Sequence, residues 1–287
     1  MNQPEDKNDL KERLRSHLLQ IVRERDPYLA TAGHFFVQQY LQEQMSQWGE
    51  VAVHEFKYRA TTHKNFLLEI PGREPQRDRS PIVIGAHYDA VPGTPGADDN
   101  ASGVAVLLEM GRSLVAQPAR HPVVLIAFDL EEYGMVGSTA YATDWGAQGR
   151  SLRLMLSLEM LGYCSQEPGS QKYPANLDRF YPDRGNFIGF IGNIPTLPDL
   201  LHFSRTMRRH EIPAEWLPAG MKGNLVAETR LSDHAPFWDR GYRAIMVTDT
   251  SFMRNPHYHQ PSDRLETLDL DFLTGVCQGL IDGVQSL

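Results

Sequence analysis

The sequence predicts a single-domain α/β protein, a three-layer sandwich in which helices cover both faces of a mostly parallel central sheet. Continuous apolar runs occupy residues 81–86, 122–128 and 152–158, and runs of this kind are typical of parallel strands buried on both faces. Segments with helical apolar spacing separate the runs, which favours alternation of strands and helices. The chain has 287 residues, 41% of them hydrophobic, so it can bury one large core, and we expect one domain over residues 1–287.

The remaining elements follow from the same patterns. Two amphipathic helices are predicted over residues 10–48. The buried face of the second helix is predicted to carry Phe35, Phe36, Tyr40, Leu41 and Met45. Further strands are predicted over residues 51–58, 65–70, 187–192 and 243–247. Further helices are predicted to open near Ser102 and to cover residues 138–145, 197–210 and 268–287.

Charge and cysteine content exclude several classes of partner. The formal net charge of -8 at pH 7 disfavours nucleic acids and membranes, because both attract an excess of Lys and Arg. Cys164 and Cys277 are the two cysteines, so the chain has neither a disulfide framework nor a cysteine zinc site. The first residues lack the apolar core of a signal peptide, and no apolar run approaches the ~18 residues of a membrane span. We therefore expect a cytoplasmic protein.

Metal-binding side chains follow three of the predicted strands, at the point where each strand ends. They are, in chain order, His87, Asp89, Asp98, Asp99, Glu131, Glu132 and Glu159. Because ligands bind at the carboxyl edge of open α/β sheets, we expect these side chains to meet there. Adjacent acids such as Glu131 and Glu132 point in different directions, so one can bind a metal ion while its neighbour faces water.

Later loops add further candidates. Either His257 or His259 could be a ligand, and the pattern His-x-Pro-x-Asp favours His259. Two histidines with several carboxylates suit Zn²⁺, or less selectively Mn²⁺ or Co²⁺. The set is sufficient for two ions that share a bridging carboxylate, with one acid left as a general base for water. Lesser candidates are Asp98, Asp129, His257 and the pair Asp233 and His234.

Six motifs resemble those of the clan of co-catalytic zinc aminopeptidases, which includes bacterial leucyl aminopeptidases and, more distantly, glutamate carboxypeptidase II and glutaminyl cyclase. They are Gly85-Ala-His-Tyr-Asp89, Gly96-Ala-Asp-Asp-Asn-Ala-Ser-Gly103, Asp129-Leu-Glu-Glu-Tyr-Gly134, Leu158-Glu-Met160, Ser232-Asp-His234 and Pro256-His-Tyr-His-Gln-Pro-Ser-Asp263. The motifs occur in the order of that family. Residues 1–50 and 163–230 match no motif, and we expect substrate specificity to lie in those segments.

The resemblance implies a role for each residue of the site. The metal ligands that it implies are His87, Asp99, Glu132, Glu159 and His259. Asp99 would bridge two ions, with His87 on one and His259 on the other, and Glu132 and Glu159 would complete opposite ions. Glu131 would be the general base, and Asp89 would orient His87. Relatives often have a cis peptide bond next to the bridging acid, and secreted relatives commonly have Asp in place of Glu159.

The implied activity is that of a metal-dependent aminopeptidase with two Zn²⁺ ions per chain, which hydrolyses amino-terminal residues from peptides through metal-activated water. One alternative is a glutaminyl cyclase-like aminoacyltransferase, which would use one zinc ion. A second is a non-catalytic relative, which would be expected to have lost ligands or the base. Residues 163–186 are rich in Gly, Pro and Tyr and lack periodicity. We interpret them as a rim or lid of the active site.

Overall fold

The computed structural model describes residues 7–73, 79–174 and 177–287, and these residues form one eight-stranded sheet covered by helices. The predictions for the first six residues, and for residues 175 and 176 of the predicted rim, lie outside the described part. The strands are β1 (Val51–Tyr58), β2 (Thr61–Ile70), β3 (Ile82–His87), β4 (Val123–Phe128), β5 (Leu154–Glu159), β6 (Ile188–Gly192), β7 (Ala214–Pro218) and β8 (Ala244–Thr248).

The sheet is parallel at its centre and mixed towards its edges. Its strand order is β1-β2-β4-β3-β5-β8-β6-β7. The neighbours β4, β3, β5 and β8 run parallel, and β6 pairs parallel with β7. The pairs β1/β2, β2/β4 and β6/β8 are antiparallel. Every residue of β3, β4 and β5 is buried, which explains their uninterrupted apolar sequences.

Helices cover both faces of the sheet. They are α1 (Lys7–Ile21), α2 (Thr31–Ser46), α3 (Gly103–Ala116), α4 (Val136–Ala147), α5 (Leu197–Arg209), α6 (Ala235–Asp239) and α7 (Leu270–Gln285). One face packs against α1, α2, α3, α5 and α7, and the other packs against α4 and α6. Successive side chains of β3 alternate between the two cores, with Ile82 and Ile84 in the larger core and Val83 in the smaller. The predicted fold class is confirmed.

The buried face of α2 differs from the prediction. Phe35 and Phe36 are 58% and 38% exposed, so their assignment to the core is wrong. The helix instead buries His34, Val37, Leu41 and Met45. Packing against the sheet selected the stripe that contains His34 instead of the predicted face. The ring of Phe36 lies 3.7 Å from the guanidinium of Arg23, a contact that a surface ring can make.

The strand β7 was not predicted. It lies at the edge of the sheet and is mostly half-buried, so its sequence, Ala-Glu-Trp-Leu-Pro, contains no continuous apolar run. It pairs in parallel with β6, and α5 packs beside it.

Two expectations from composition can be compared with the structure. Cys164 is half-buried and Cys277 is buried, and no disulfide joins them. Within the part of the chain that the structure describes, no helix is long and apolar enough to cross a membrane.

Candidate metal centre

The candidate metal centre lies where three parallel strands end. β3 ends at His87, β5 ends at Glu159, and the chain that leaves β4 reaches Glu131 and Glu132. Because β3 pairs in parallel with both β4 and β5, the three carboxyl ends meet at one edge of the sheet. The residues that the sequence analysis proposed as metal ligands meet at this edge: His87, Asp99, Glu132, Glu159 and His259.

Asp99 lies between the two imidazoles. Its Oδ1 is 3.2 Å from His87 Nε2, and its Oδ2 is 3.1 Å from His259 Nε2. Glu159 Oε2 is 3.6 Å from His87 Nε2, and Glu132 Oε2 is 3.3 Å from His259 Nε2. A carboxylate that presents a different oxygen to each of two donor groups has the arrangement of a bridging ligand.

Several polar atoms of the centre have no hydrogen-bond partner within the described part of the protein and are suited to bind metal ions. His87 Nε2, His259 Nε2 and Glu132 Oε1 are buried and have no hydrogen-bond partner among the residues that the structure describes. The ligand atoms of His87, Asp99 and Glu132 lie within 4.8 Å of one another. Buried charges are normally paired or bound to metal, and carboxylates with imidazoles are a donor set that zinc accepts.

Glu131 lies next to the proposed ligands and lines the cavity beside them. Its Oε2 is 4.0 Å from His87 Nε2, and its side chain is 13% exposed. Burial raises the pKa of Glu131 well above its ordinary value, and the charges of Glu159 and Glu132 raise it further, although His87 opposes them. A carboxyl group with a raised pKa retains a proton more readily than an ordinary carboxylate, which suits a group that accepts a proton from water and passes it on.

The neighbouring carboxylates differ from one another in their pKa values. Burial raises the pKa of Glu132 to about 7, and the charge of Asp99 adds to this shift. Burial also raises the pKa of Glu159. For Asp99, burial alone would raise the pKa, but the imidazoles of His259 and His87 close to its carboxylate bring it well below its ordinary value. The negative charge of the centre is therefore concentrated on Asp99 between the two imidazoles.

Asp89 contacts both His87 and the loop that carries Glu131. His87 Nδ1 is 3.3 Å from the backbone oxygen of Asp89 and 3.4 Å from its Oδ1. An Nδ1–H group directed at Asp89 leaves Nε2 available as a ligand. The Asp89 carboxylate also accepts hydrogen bonds from the backbone N–H groups of Glu131 at 3.1 Å and Glu132 at 3.2 Å. Asp89 thus links the end of β3 to the loop after β4.

Glu159 is held by a serine from one of the motifs. Ser232 Oγ donates a hydrogen bond to Glu159 Oε2 at 2.7 Å, and it lies 2.8 Å from Ser157 Oγ. This contact fixes the longer side chain that stands here in place of the Asp of secreted relatives. The same oxygen of Glu159 is the one that faces His87.

Arg25, which follows α1, is a residue that the sequence analysis missed. It is fully buried, and its guanidinium donates hydrogen bonds to the backbone oxygens of Tyr88 at 2.8 Å, Pro95 at 2.6 Å, Gly96 at 2.9 Å and Asp99 at 3.2 Å. Its charge also faces the carboxylate of Asp99. A single arginine after a helix has no periodicity or spacing, so no sequence pattern indicated this role.

Gly96 makes room for this guanidinium. Its φ is 59°, and a Cβ there would lie 2.3 Å from the backbone oxygen of Asp99 and 2.8 Å from Arg25 Nη1. Both the left-handed backbone and the close approach require glycine.

Asp263 holds the same loop from the opposite side. Its carboxylate accepts hydrogen bonds from the backbone N–H groups of Asp98 at 3.0 Å and Asp99 at 3.1 Å. Burial and the charge of Asp98 raise the pKa of Asp263 to about 7. The peptide bond between Asp99 and Asn100 is cis, at the position where the resemblance led us to expect one.

The backbone adopts left-handed conformations around the centre. Leu130 has a φ of 58°, Met160 of 51° and His259 of 56°. Leu130 precedes Glu131, Met160 follows Glu159, and His259 is itself a proposed ligand. A non-glycine residue in this region costs about 1–3 kcal/mol and persists only where the surroundings enforce it. Such conformations cluster at functional sites, which agrees with the placement of the candidate centre.

The lesser candidates lie outside the proposed ligand set. Asp98 is buried and accepts a hydrogen bond from Asn255 Nδ2 at 2.7 Å. Asp129 is buried and paired with two histidines. His257 contacts Ser262 rather than the carboxylates of the centre.

The Asp233–His234 pair is buried behind the centre. Burial raises the pKa of Asp233 to about 7, whereas it lowers the pKa of His234 to about 3. His234 Nε2 donates a hydrogen bond to the backbone oxygen of Thr229 at 2.7 Å, and its ring packs edge-on against Trp238. His234 is therefore a neutral packing residue.

A cavity of about 270 Å³ opens beside the proposed ligands. Six acids line it, and most of the rest of the lining is aromatic or aliphatic; the acids are Asp99, Glu131, Glu132, Glu159, Glu215 and Glu228. The lining includes Tyr173, Leu177 and Tyr181 from the 163–186 segment. Arg254 fastens this segment through hydrogen bonds to the backbone oxygen of Gly185 at 3.1 Å and to Gln171 Oε1 at 3.0 Å.

The fold and the site define a class of protein, namely an α/β protein with an imidazole–carboxylate metal centre beside a ligand cavity. Within that class, residues 65–191 match Peptidase family M28. The chain is therefore related to this peptidase family, and the resemblance predicted from the six motifs is confirmed.

Individual relatives agree with this assignment. The chain is 37% identical over 216 residues to the uncharacterized protein YfbL of Escherichia coli, a match that covers 70% of this chain and 65% of YfbL. The crystal structure of LapA from Legionella pneumophila superposes with a TM-score of 0.74 at 19% identity, covering 99% of this chain and 76% of LapA, which shows the shared fold. BSAP, a zinc aminopeptidase from Bacillus subtilis, superposes with a TM-score of 0.59 at 26% identity and covers 80% of this chain.

The relatives are longer than the part that this chain matches. The chain spans 65% of YfbL and 51% of BSAP.

Proposed function

We propose that this protein is an aminopeptidase that removes amino-terminal residues from peptides and binds two zinc ions per chain. The observation that carries the proposal is the position of Asp99 between His87 Nε2 and His259 Nε2, beside Glu131 and a cavity. The match to Peptidase family M28 and the similarity to the zinc aminopeptidase BSAP support it.

The ligand atoms fall into two sets that share Asp99. His87 and Glu159 would hold one ion with Asp99, and His259 and Glu132 would hold the other. When bound, the ions would supply Lewis acidity that polarises the scissile carbonyl and lowers the pKa of water.

Glu131 would carry the proton during hydrolysis. Its carboxylate would accept a proton from the attacking water and then donate that proton to the leaving amine. Burial raises the pKa of Glu131, so the side chain can hold the proton between the two steps. The hydrogen bond from its backbone N–H to Asp89 keeps this residue beside His87.

The cavity favours the amino end of a peptide over the carboxyl end. Among the described residues that line it there are acids and apolar side chains, but no Lys, Arg or His. Glu131, Glu215 and Glu228 are acids of this lining outside the proposed ligand set, and their charge attracts an ammonium group and repels a carboxylate. We therefore propose that a free α-amine is required for turnover. The net charge of -8 supports the separate proposal that nucleic acids and membranes are not partners.

Three further predictions, on the domain, the active-site rim and the location of the protein, accompany this proposal. Residues 1–287 would form one peptidase domain, and residues 163–186 would form the rim of its active site. The lining by Tyr173 and Tyr181 supports the rim. The protein would act in the cytoplasm, where disulfides are rare, and the lack of a disulfide between Cys164 and Cys277 agrees with this proposal.

The proposal can be tested with purified protein, amino-acid anilides and elemental analysis. We expect hydrolysis of anilides with a free α-amine, no turnover of their acetylated counterparts, and close to two equivalents of metal per chain. Cleavage of the acetylated substrates would contradict the specificity. One equivalent that added Zn²⁺, Mn²⁺ or Co²⁺ cannot raise, together with cyclisation of amino-terminal Gln, would instead indicate a glutaminyl cyclase.

A further inference from the structure

Four residues on four adjacent strands form a row across the sheet, which starts at the metal centre. Glu159 of β5 is in register with Thr248 of β8, Thr248 with Gly189 of β6, and Gly189 with Glu215 of β7. Residues directly opposite one another in a sheet project from the same face. All four residues line the cavity. Glu215 therefore stands three strand spacings, or ~14 Å between Cα atoms, from Glu159 on the same face.

The middle of this row is a trough. Thr248 has a small side chain and Gly189 has none, so little side-chain volume fills the space between the two glutamates. A Cβ at Gly189 would lie 3.3 Å from the backbone oxygen of Thr248 and would extend into the cavity that this face lines. Glycine here keeps the path from Glu159 to Glu215 open for a substrate group.

Aromatic rings form a wall next to Glu215. Tyr173 and Tyr181 stack with ring centroids 5.7 Å apart, and Tyr181 Oη donates a hydrogen bond to the backbone oxygen of Trp216 at 2.9 Å. Tyr173 and Tyr181 line the cavity. Aromatic faces with a nearby carboxylate attract ammonium and guanidinium groups.

The Glu215 carboxylate has little of its charge compensated within the protein. Its side chain is 30% exposed, and the Arg208 guanidinium lies 4.0 Å away, at the limit of an ion pair. Arg208 Nη2 donates its hydrogen bond to the backbone oxygen of Ala214 instead, at 2.7 Å. Burial raises the pKa of Glu215 even though Arg208 opposes the shift. A cation in the trough would complete the pairing of this carboxylate.

We propose that the trough from Glu159 to Glu215 receives the side chain of the amino-terminal residue and that Glu215 selects Lys and Arg at this position. The inference rests on the proposed aminopeptidase function and adds its substrate class. A long aliphatic stem fits the apolar part of the trough, and its cationic end reaches Glu215. Acidic side chains are excluded, because no cation among the described residues lines the cavity.

The test compares anilides of lysine and norleucine, which have aliphatic stems of the same length and differ in the terminal ammonium group. We expect wild-type protein to prefer lysine. Glu215→Gln is expected to lower kcat/KM for lysine and arginine anilides about tenfold, and to leave norleucine within about twofold. The control is Glu167→Gln, an exposed acid of the 163–186 segment that does not line the cavity. It should leave all ratios unchanged.

Several results would overturn the inference. They are a wild-type preference for norleucine, a lysine-to-norleucine ratio that Glu215→Gln leaves unchanged, and an equal loss on every substrate. If no anilide is hydrolysed, the proposed function fails, and the trough is then judged by binding. Titration of tryptophan fluorescence with lysinamide and norleucinamide should show tighter binding of lysinamide, and Glu215→Gln should abolish this difference. Equal binding of the two amides would refute the cation site independently of activity.

Discussion

Arg25 Nη2 donates a hydrogen bond to the backbone oxygen of Asp99 at 3.2 Å, while both carboxylate oxygens of Asp99 face imidazoles. The residue that lies between the two histidines is thus fixed through its main chain by a buried cation on a distant segment. The same cation holds the loop at Tyr88, Pro95 and Gly96.

Replacement of Arg25 should therefore affect both folding and metal binding. Arg25→Met removes the donors for three buried carbonyls and for the half-buried carbonyl of Pro95, and an unsatisfied buried acceptor costs about 1–3 kcal/mol. We expect the free energy of unfolding to fall by more than about 3 kcal/mol, and metal to be bound more weakly. Urea unfolding and elemental analysis measure the two effects. Arg15→Met, at an exposed position of α1, is the matched control. A variant of Arg25 with wild-type stability and metal content would show that the hydrogen bonds of Arg25 are dispensable.

Substitution of either adjacent glutamate, Glu131 or Glu132, should lower activity, but for different reasons. Glu131→Gln is expected to keep the metal and to lower kcat by about 10²–10⁴, because it removes the general base. Glu132→Gln replaces an anionic donor next to His259 by a neutral amide, so one ion should be lost or bound much less tightly.

Metal stoichiometry measured beside kcat separates these two roles. If Glu131→Gln loses metal while Glu132→Gln keeps both ions, the assignments are reversed. If neither variant loses activity, catalysis occurs elsewhere.

Asp89 should act through its neighbours. Asp89→Asn places an amide where the carboxylate now lies 3.4 Å from His87 Nδ1 and accepts hydrogen bonds from the backbone N–H groups of Glu131 and Glu132. We expect metal affinity to fall by about 10–100-fold, as for other groups that orient a metal-bound histidine. Competition with a chelator measures the affinity. Unchanged affinity with reduced kcat would place the effect of Asp89 on Glu131 rather than on His87.

After metal removal, the free energy of unfolding should fall as pH rises. In the metal-free protein, burial raises the pKa of Glu132 to about 7, and the carboxylates around His259 raise its pKa to about 10 although burial opposes them. Unfolding returns both groups to their ordinary values, near ~4.3 and ~6.5. The folded state therefore binds more protons over this range, so the free energy of unfolding falls as pH rises from about 5 to about 8.

Urea unfolding of chelator-treated protein at two pH values measures this dependence. The metal-free protein is expected to be less stable at about pH 8 than at about pH 6, by about 1 kcal/mol or more. Glu132→Gln should reduce the difference. Greater stability of the metal-free protein at the higher pH would contradict the calculated direction.

The sequence was sufficient for much of the fold, because the decisive signals are local. An apolar run in β3, β4 or β5 reports burial on both faces without reference to any other segment. Where such strands are parallel, the polar residues after them meet at one edge, so His87, Glu131 and Glu159 could be placed together from the sequence. The motif resemblance then implied roles for Asp99 and His259, which the structure brings to the same edge.

Features that depend on contacts between distant segments could not be predicted. Helical spacing does not reveal which stripe faces the sheet, so Phe35 and Phe36 were placed in the core although they are exposed. The edge strand β7 is half-buried and lacks an apolar run, and its register with β6 decides that Glu215 lines the cavity. Arg25 acquires its role only when the segment after α1 packs against the loop of Asp99.

The sequence by itself thus determined which side chains follow the ends of the strands, because buried strands and motifs are recognised from local sequence patterns. Only the tertiary structure decided what orients those groups and what borders the cavity. The physical reason is that a hydrogen bond such as that of Arg25 to Asp99, or the register between Gly189 and Glu215, depends on the relative position of segments far apart in sequence. No local pattern specifies that relationship.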